Sequence, residues 1–184
     1  MSQAMSLVIA VANQKGGSGK TTIALNLAGA YCDDDPSLRV LVIDAGSQNS
    51  SMRATSAGNR AISVHCRRPG AAGSNLGREI KRMAENYDLI VVDCPPSAHD
   101  MNTEVAIAAS DFVLVSMDAS ALNAWSTVGM LQLVRRKVGS DATACGVVFN
   151  KVNTKTTGYG EDRTAMEEDN PYPILRSTIA QREI

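Results

Sequence analysis

The sequence predicts an α/β fold: a doubly wound, mostly parallel sheet with helices on both faces. Three observations carry that prediction. Five short runs are continuously apolar and rich in Val and Ile, as suits parallel strands buried on both faces. Helical patterns alternate with them, which argues for right-handed crossover connections. The first run leads at once into a glycine-rich segment that opens a helix.

The runs are Leu7–Ala12, Val40–Asp44, Leu89–Asp93, Phe112–Val115 and Gly146–Phe149. The second and third each end in aspartate. The first helix is expected over Thr21–Tyr31, with Ile23, Leu25, Leu27 and Ala28 among small residues that allow tight packing. The next is expected over Asn75–Asn86, where Leu76, Ile80 and Met83 oppose Arg78, Glu79, Lys81 and Arg82. The third covers Ala121–Val138, with Leu122, Trp125, Val128, Leu131, Leu133 and Val134. It closes on Arg135, Arg136 and Lys137, cations that complement the dipole of a last helical turn. Residues 45–61 and 66–75 are rich in Ser, Gly, Ala and Asn and read as loops.

The chain has 184 residues, enough for one compact domain that buries a core without disulfides or metals. A formal net charge of −1 excludes a strongly basic nucleic-acid module but leaves room for a local basic patch. One Trp, four Tyr and two Phe provide few stacking platforms for single strands. Cys32, Cys66, Cys94 and Cys145 are isolated, without metal-ligand spacing, and read as reduced thiols packed like small hydrophobes. No apolar run approaches the ~18 residues of a membrane span, and no cation precedes Lys15 as a secretory signal would require. The expectation is a cytoplasmic protein without membrane attachment.

The informative segment is Lys15, Gly16, Gly17, Ser18, Gly19, Lys20, Thr21 and Thr22. It lies between an apolar strand and a helix, the context a phosphate-binding loop requires. Small residues let backbone N–H groups converge on a polyphosphate, and the helix N-terminus adds its positive dipole end. Lys20 reaches the β- and γ-phosphates as a point charge, and the Thr21 hydroxyl suits Mg²⁺. The general pattern G-x-x-x-x-G-K-[ST] is broken at its first glycine, which is Gln14. A second lysine, Lys15, opens the loop instead.

This deviant loop, with Asn13 before it and Ile23–Ala28 after it, resembles the opening of the ParA/MinD superfamily of ATPases. The segment Tyr87–Pro96, Y-D-L-I-V-V-D-C-P-P, is similar to the Walker B strand and turn of that superfamily. The length is most similar to the small ParA proteins of plasmid partition. The resemblance implies a deviant Walker A P-loop domain spanning residues 1–184. It implies Mg²⁺ and ATP as ligands and an ATP-dependent homodimer with nucleotide at the interface. Lys15 becomes the signature lysine that reaches the partner's phosphates, and Lys20 the conventional one. Asp93 becomes the water-mediated Mg²⁺ partner beside Thr21. Asn150 takes the place of an asparagine that lies by the adenine. The resemblance further implies nonspecific DNA binding, which allows a nucleoid association. It also implies a partner protein of ParB or adaptor type on a plasmid or protein cargo.

Two departures stand out. Relatives carry D-x-D-P-Q after the second strand, and their second aspartate helps position the attacking water. Here Asp44 is kept and the second position is Gly46. Strand residues two apart lie ~6.5 Å apart along the strand, so Asp44 does not simply fill that place. Either slow hydrolysis is expected, or Asp44, Ser47 or Gln48 takes over in altered geometry. The other departure is the end of the chain. Leu175–Arg182 resembles the segment before the last helix of small ParA proteins, and that helix is expected to be missing. The expected DNA contacts then fall on Lys151, Lys155, Arg163, Arg176 and Arg182, with Arg135–Lys137 as an addition.

The leading expectation is thus an ATPase of partition or cargo positioning, with Lys15, Lys20 and Asp44 as catalytic groups. The alternative is a nucleotide-gated switch with little or no hydrolysis. Other branches of the superfamily fit less well. Iron–sulfur carriers need paired cysteines, and tyrosine kinases of this fold need a terminal tyrosine cluster, whereas Tyr159 and Tyr172 are isolated.

Overall fold

The computed structural model describes residues 6–46, 63–66, 74–118, 121–152, 163–164 and 170–180, with backbone alone at 64–66, 74 and 121–126. In chain order the elements are β1 (Leu7–Ala12), α1 (Lys20–Asp34), β2 (Val40–Asp44), β3 (Ser63–Cys66), α2 (Ser74–Ala84), β4 (Leu89–Asp93), α3 (Met101–Ala108), β5 (Phe112–Asp118), α4 (Ala121–Val138), β6 (Cys145–Val152) and β7 (Ile174–Ala180). The strands form one sheet in the order β3-β2-β4-β1-β5-β6-β7, and all of its ladders are parallel.

That order explains why helices cover both faces. The connection from β1 to β2 runs toward one edge of the sheet. Those into β4, β5 and β6 run toward the other. Right-handed crossovers in opposite directions put their helices on opposite faces. Accordingly Ile23, Ala24 and Ala28 of α1 pack with Ile9, Val11, Val42 and Val91. Leu76 and Ile80 of α2, Ile107 of α3, and Met130 and Leu133 of α4 pack with Val8, Ala10, Ile43, Ile90 and Phe149. Successive strand residues point to opposite faces, so each apolar run feeds both layers. The alanines of α1 let its backbone sit close to the sheet.

All five expected strands are present, and two run further than their apolar stretches. β5 extends to Asp118 and β6 to Val152, because Ser116 and Asn150 are buried polar residues inside the ladder. Three elements differ from the sequence reading. β3 and β7 are the two edge strands, and each pairs with one neighbour. β7 is largely exposed and meets β6 with register shifts, so it carries little apolar pattern. α3 has eight residues. The expected loops are trimmed: Cys66 ends β3, and Ser74 and Asn75 begin α2. Residues 47–62 and 67–73, with Ser47 and Gln48 among them, lie outside the described residues.

Among the described residues Cys94 and Cys145 are buried and Cys32 is half-buried, none of them in a disulfide, in keeping with packed thiols. Burial pushes the Cys145 thiol up to about 12. Among the described residues no helix is long and apolar enough to cross a membrane.

Candidate functional site

The site follows from strand parity. Val42, Val91, Leu114 and Val148 face α1. Counting on in twos along the same strands, Asp44, Asp93, Asp118 and Asn150 face the same side. They sit at or near the carboxyl ends of β2, β4, β5 and β6. Asp44 is in register with Asp93, and Asp118 with Asn150. The loop after β1 lies between these two pairs, where connections leave the sheet in opposite directions. In open α/β sheets that crevice is where ligands bind.

The loop itself is built on left-handed glycines. Gly17 has φ 77° and Gly19 φ 87°, conformations that glycine adopts without steric cost. Gly19 caps α1 and its carbonyl accepts from Ile23 N at 2.9 Å. A Cβ at Gly19 would lie 2.0 Å from Asn150 Nδ2, so glycine is needed there on two counts. Asn150 Nδ2 donates to Ser18 O at 2.9 Å, and Ser116 Oγ donates to Ser18 Oγ at 3.1 Å. Asn13 braces the loop from the other side. Its Nδ2 donates to Ser116 O, and its Oδ1 accepts from Lys15 N.

The two lysines of the loop point different ways. Lys20 is buried, and its ammonium donates to Lys15 O at 2.9 Å, spanning the loop. Burial pushes its pKa down, and Asp93 and Cys94 pull it back up. Lys15 instead pairs with Asp118, Nζ to Oδ2 3.0 Å, with its side chain 39% exposed. Asp118 is the more buried partner, with its side chain 16% exposed.

A cavity of about 560 Å³ opens beside the loop. Gly16, Gly17, Gly19, Lys20, Thr21 and Thr22 line it, and so do Asp44 and Asp93. Most of the expected site residues therefore come together. Lys15, Ser18 and Asn150 are not among the lining residues. Lys15 is held at Asp118, while Ser18 and Asn150 lie under the loop and support it. Thr21 Oγ1 donates to Asp93 Oδ2 at 2.6 Å, and Asp44 Oδ1 accepts from Gly46 N at 3.0 Å.

Of the residues expected at DNA, Lys151 lines the cavity, and its ammonium donates to Gly17 O at 2.6 Å. It also has φ 57°, a left-handed conformation uncommon outside glycine. Besides its grouping with the late basic residues, it thus meets the phosphate loop. The sequence carried no signal for this, since the contact spans 134 positions. Arg176 is exposed on β7, and Arg163 Nη1 donates to Leu175 O at 3.4 Å. Lys137 pairs with Glu104 of α3 at 2.7 Å. Lys155 and Arg182 lie outside the described residues. The sequence reading also missed Asp100, which lines the same cavity and caps α3 through Asn102 N at 2.7 Å.

Chemically, a left-handed glycine loop, a helix N-terminus and a buried lysine together select a polyphosphate. Thr21 and Asp93 offer hard oxygen ligands at its edge. Among the described residues no group of three His, Cys, Asp or Glu side chains forms a metal cage. This donor set suits Mg²⁺, which binds through few protein oxygens and keeps phosphate and water ligands.

Comparison with known proteins agrees with this geometry. The chain is 25% identical to the maintenance of carboxysome distribution protein A of Halothiobacillus neapolitanus, covering 100% of this chain and 84% of that protein. It is 27% identical to the sporulation initiation inhibitor protein Soj of Bacillus subtilis, over 83% of this chain and 75% of Soj. Its fold is similar to that of cobyrinic acid a,c-diamide synthase from Mycobacterium smegmatis, solved with ADP and magnesium. There the TM-score is 0.77 at 19% identity, covering 97% of this chain and 87% of that one. The model of the CobQ/CobB/MinD/ParA nucleotide binding domain matches residues 9–184. With the loop, the strand order and the paired aspartates in agreement, the chain belongs to the CobQ/CobB/MinD/ParA nucleotide-binding-domain family.

Proposed function

We propose that the chain is a ParA-like ATPase that binds Mg·ATP in the loop cavity. In this reading it dimerises with nucleotide and acts in DNA partition or intracellular cargo positioning. The observation that carries the reading is the left-handed glycine loop with buried Lys20 and the Thr21–Asp93 pair beside it. Lys20 and Lys151 supply two cations at the phosphates, and the loop N–H groups orient them. Mg²⁺, held by Thr21 and through water by Asp93, would neutralise charge between the phosphates. Lys15 lies outside its own cavity with its side chain 39% exposed, so it would be available to a facing subunit. Asn150 supports the loop where the adenine would pack. Arg176, Arg163 and the exposed Arg135 and Arg136 are described cations that would meet duplex DNA, and an adaptor or ParB-type protein would carry the cargo. The setting is cytoplasmic, with nucleoid association through DNA.

A second reading is a nucleotide-gated switch with little turnover. Gly46 favours it, because no side chain extends from that position into the cavity. Steady-state phosphate release with Mg·ATP, with and without duplex DNA, separates the two readings, with Lys20→Ala as the blank. Turnover above the blank, raised by DNA or by partner, is the expected result. ATP binding with release at the blank level would leave the switch. No ATP binding at all would overturn both.

A further inference from the structure

Hydrolysis in this cavity needs a group that holds water in line with the terminal phosphate. Three carboxylates line the cavity: Asp44, Asp93 and Asp100. Asp93 accepts from Thr21 at 2.6 Å on the metal side of the loop. Asp44 is folded back on its own strand end, where Oδ1 accepts from Gly46 N. A Cβ at Gly46 would stand 3.2 Å from that same oxygen, so a side chain there would require Asp44 to give by a few tenths of an ångström.

Asp100 reaches the cavity from a different element. Its Oδ1 caps α3 by accepting from Asn102 N at 2.7 Å. Its Oδ2 makes no hydrogen bond among the described residues, and the side chain is half-buried. The first turn of α3 is held against the end of β2, since Asn102 Nδ2 donates to Ala45 O at 3.4 Å. The loop between β4 and α3 thus carries Asp100 to the wall of the cavity that Gly46 also lines.

We propose that Asp100 is the catalytic carboxylate that orients the attacking water and accepts its proton. The inference rests on the ATP-hydrolysing reading of the site. The water oxygen forms its bond to the γ-phosphorus as the bond to the β–γ bridging oxygen breaks. ADP leaves with that electron pair. The water's proton passes to Asp100 Oδ2 and from there to solvent, leaving inorganic phosphate. The cap fixes the carboxylate through Oδ1 and leaves Oδ2 for this work.

Asp100→Asn and Asp100→Ser test this, because both residues cap helices well and neither takes up a proton at neutral pH. The expected result is a kcat lowered about 100-fold, with KM, AMPPNP affinity and melting temperature unchanged. Affinity for ADP with aluminium fluoride, which mimics the transferring phosphoryl group with its in-line water, is expected to weaken about ten-fold. Parent-like turnover and parent-like aluminium fluoride affinity in Asp100→Asn would overturn the proposal. If the parent itself releases no phosphate above Lys20→Ala, the hydrolysis reading fails. The aluminium fluoride comparison then decides Asp100 alone, and equal affinities reject it.

Discussion

Replacing Gly19 with alanine tests the phosphate loop at its tightest point. Gly19 has φ 87°, and the added Cβ would lie 2.0 Å from Asn150 Nδ2. A left-handed alanine costs about 1–2 kcal/mol. The clash also forces Asn150, 5% exposed, off Ser18 O, and a buried unmade hydrogen bond costs about 1–3 kcal/mol. The total is about 3 kcal/mol, or about 6–12 °C of melting temperature for a chain of this size. Gly16→Ala is the control. Its Cβ meets nothing within 4 Å, and melting within about 1 °C of the parent is expected. Thermal melting and binding of a fluorescent ATP analogue measure both variants. Gly19→Ala is expected to melt low and bind nucleotide poorly, while Gly16→Ala keeps its melting point. A Gly19→Ala protein that melts and binds like the parent would refute the argument, because the loop would then be free to rearrange around a side chain.

Two further predictions concern charge. Burial lowers the Lys20 pKa from 10.5, so the unfolded chain holds that proton more tightly than the folded one. Stability is then expected to rise with pH between the lowered value and 10.5. Lys20→Met should lose both that rise and nucleotide binding, as denaturant titrations across alkaline pH would reveal. Asp88 is held at about 2 by its paired hydrogen bonds to Arg39, so its contribution is complete above the ordinary carboxylate range and fades as pH falls toward 2. Asp88→Asn should melt below the parent at pH 7, and the two melting curves should converge between pH 4 and 2; a constant gap would mean that packing, not charge, holds β2 to β4.

Much of the fold was legible because it is written locally. Each central strand is an apolar run with its own length, and the phosphate loop is one contiguous segment between a strand and a helix. The elements that escaped notice had weak local signals. β3 and β7 lie at the sheet edges, where one neighbour and partial exposure relax the demand for apolar residues. α3 did carry a signal, Asp100 followed by Glu104 in the first turn, but its eight residues show little periodicity.

The sequence alone determined which residues are small, apolar or charged, and therefore that a glycine loop with Lys20 and Thr21 opens α1 beneath a parallel sheet. Where the other charges go was decided by the tertiary structure. Lys15 meets Asp118 across 103 positions, Asn150 meets Ser18 across 132, and Lys151 meets Gly17 across 134. These contacts depend on strand order and register, which bring the ends of β5 and β6 to the loop after β1. A parallel sheet gathers its carboxyl ends in space while spreading them along the chain, so local spacing names the loop but not the charges that surround it.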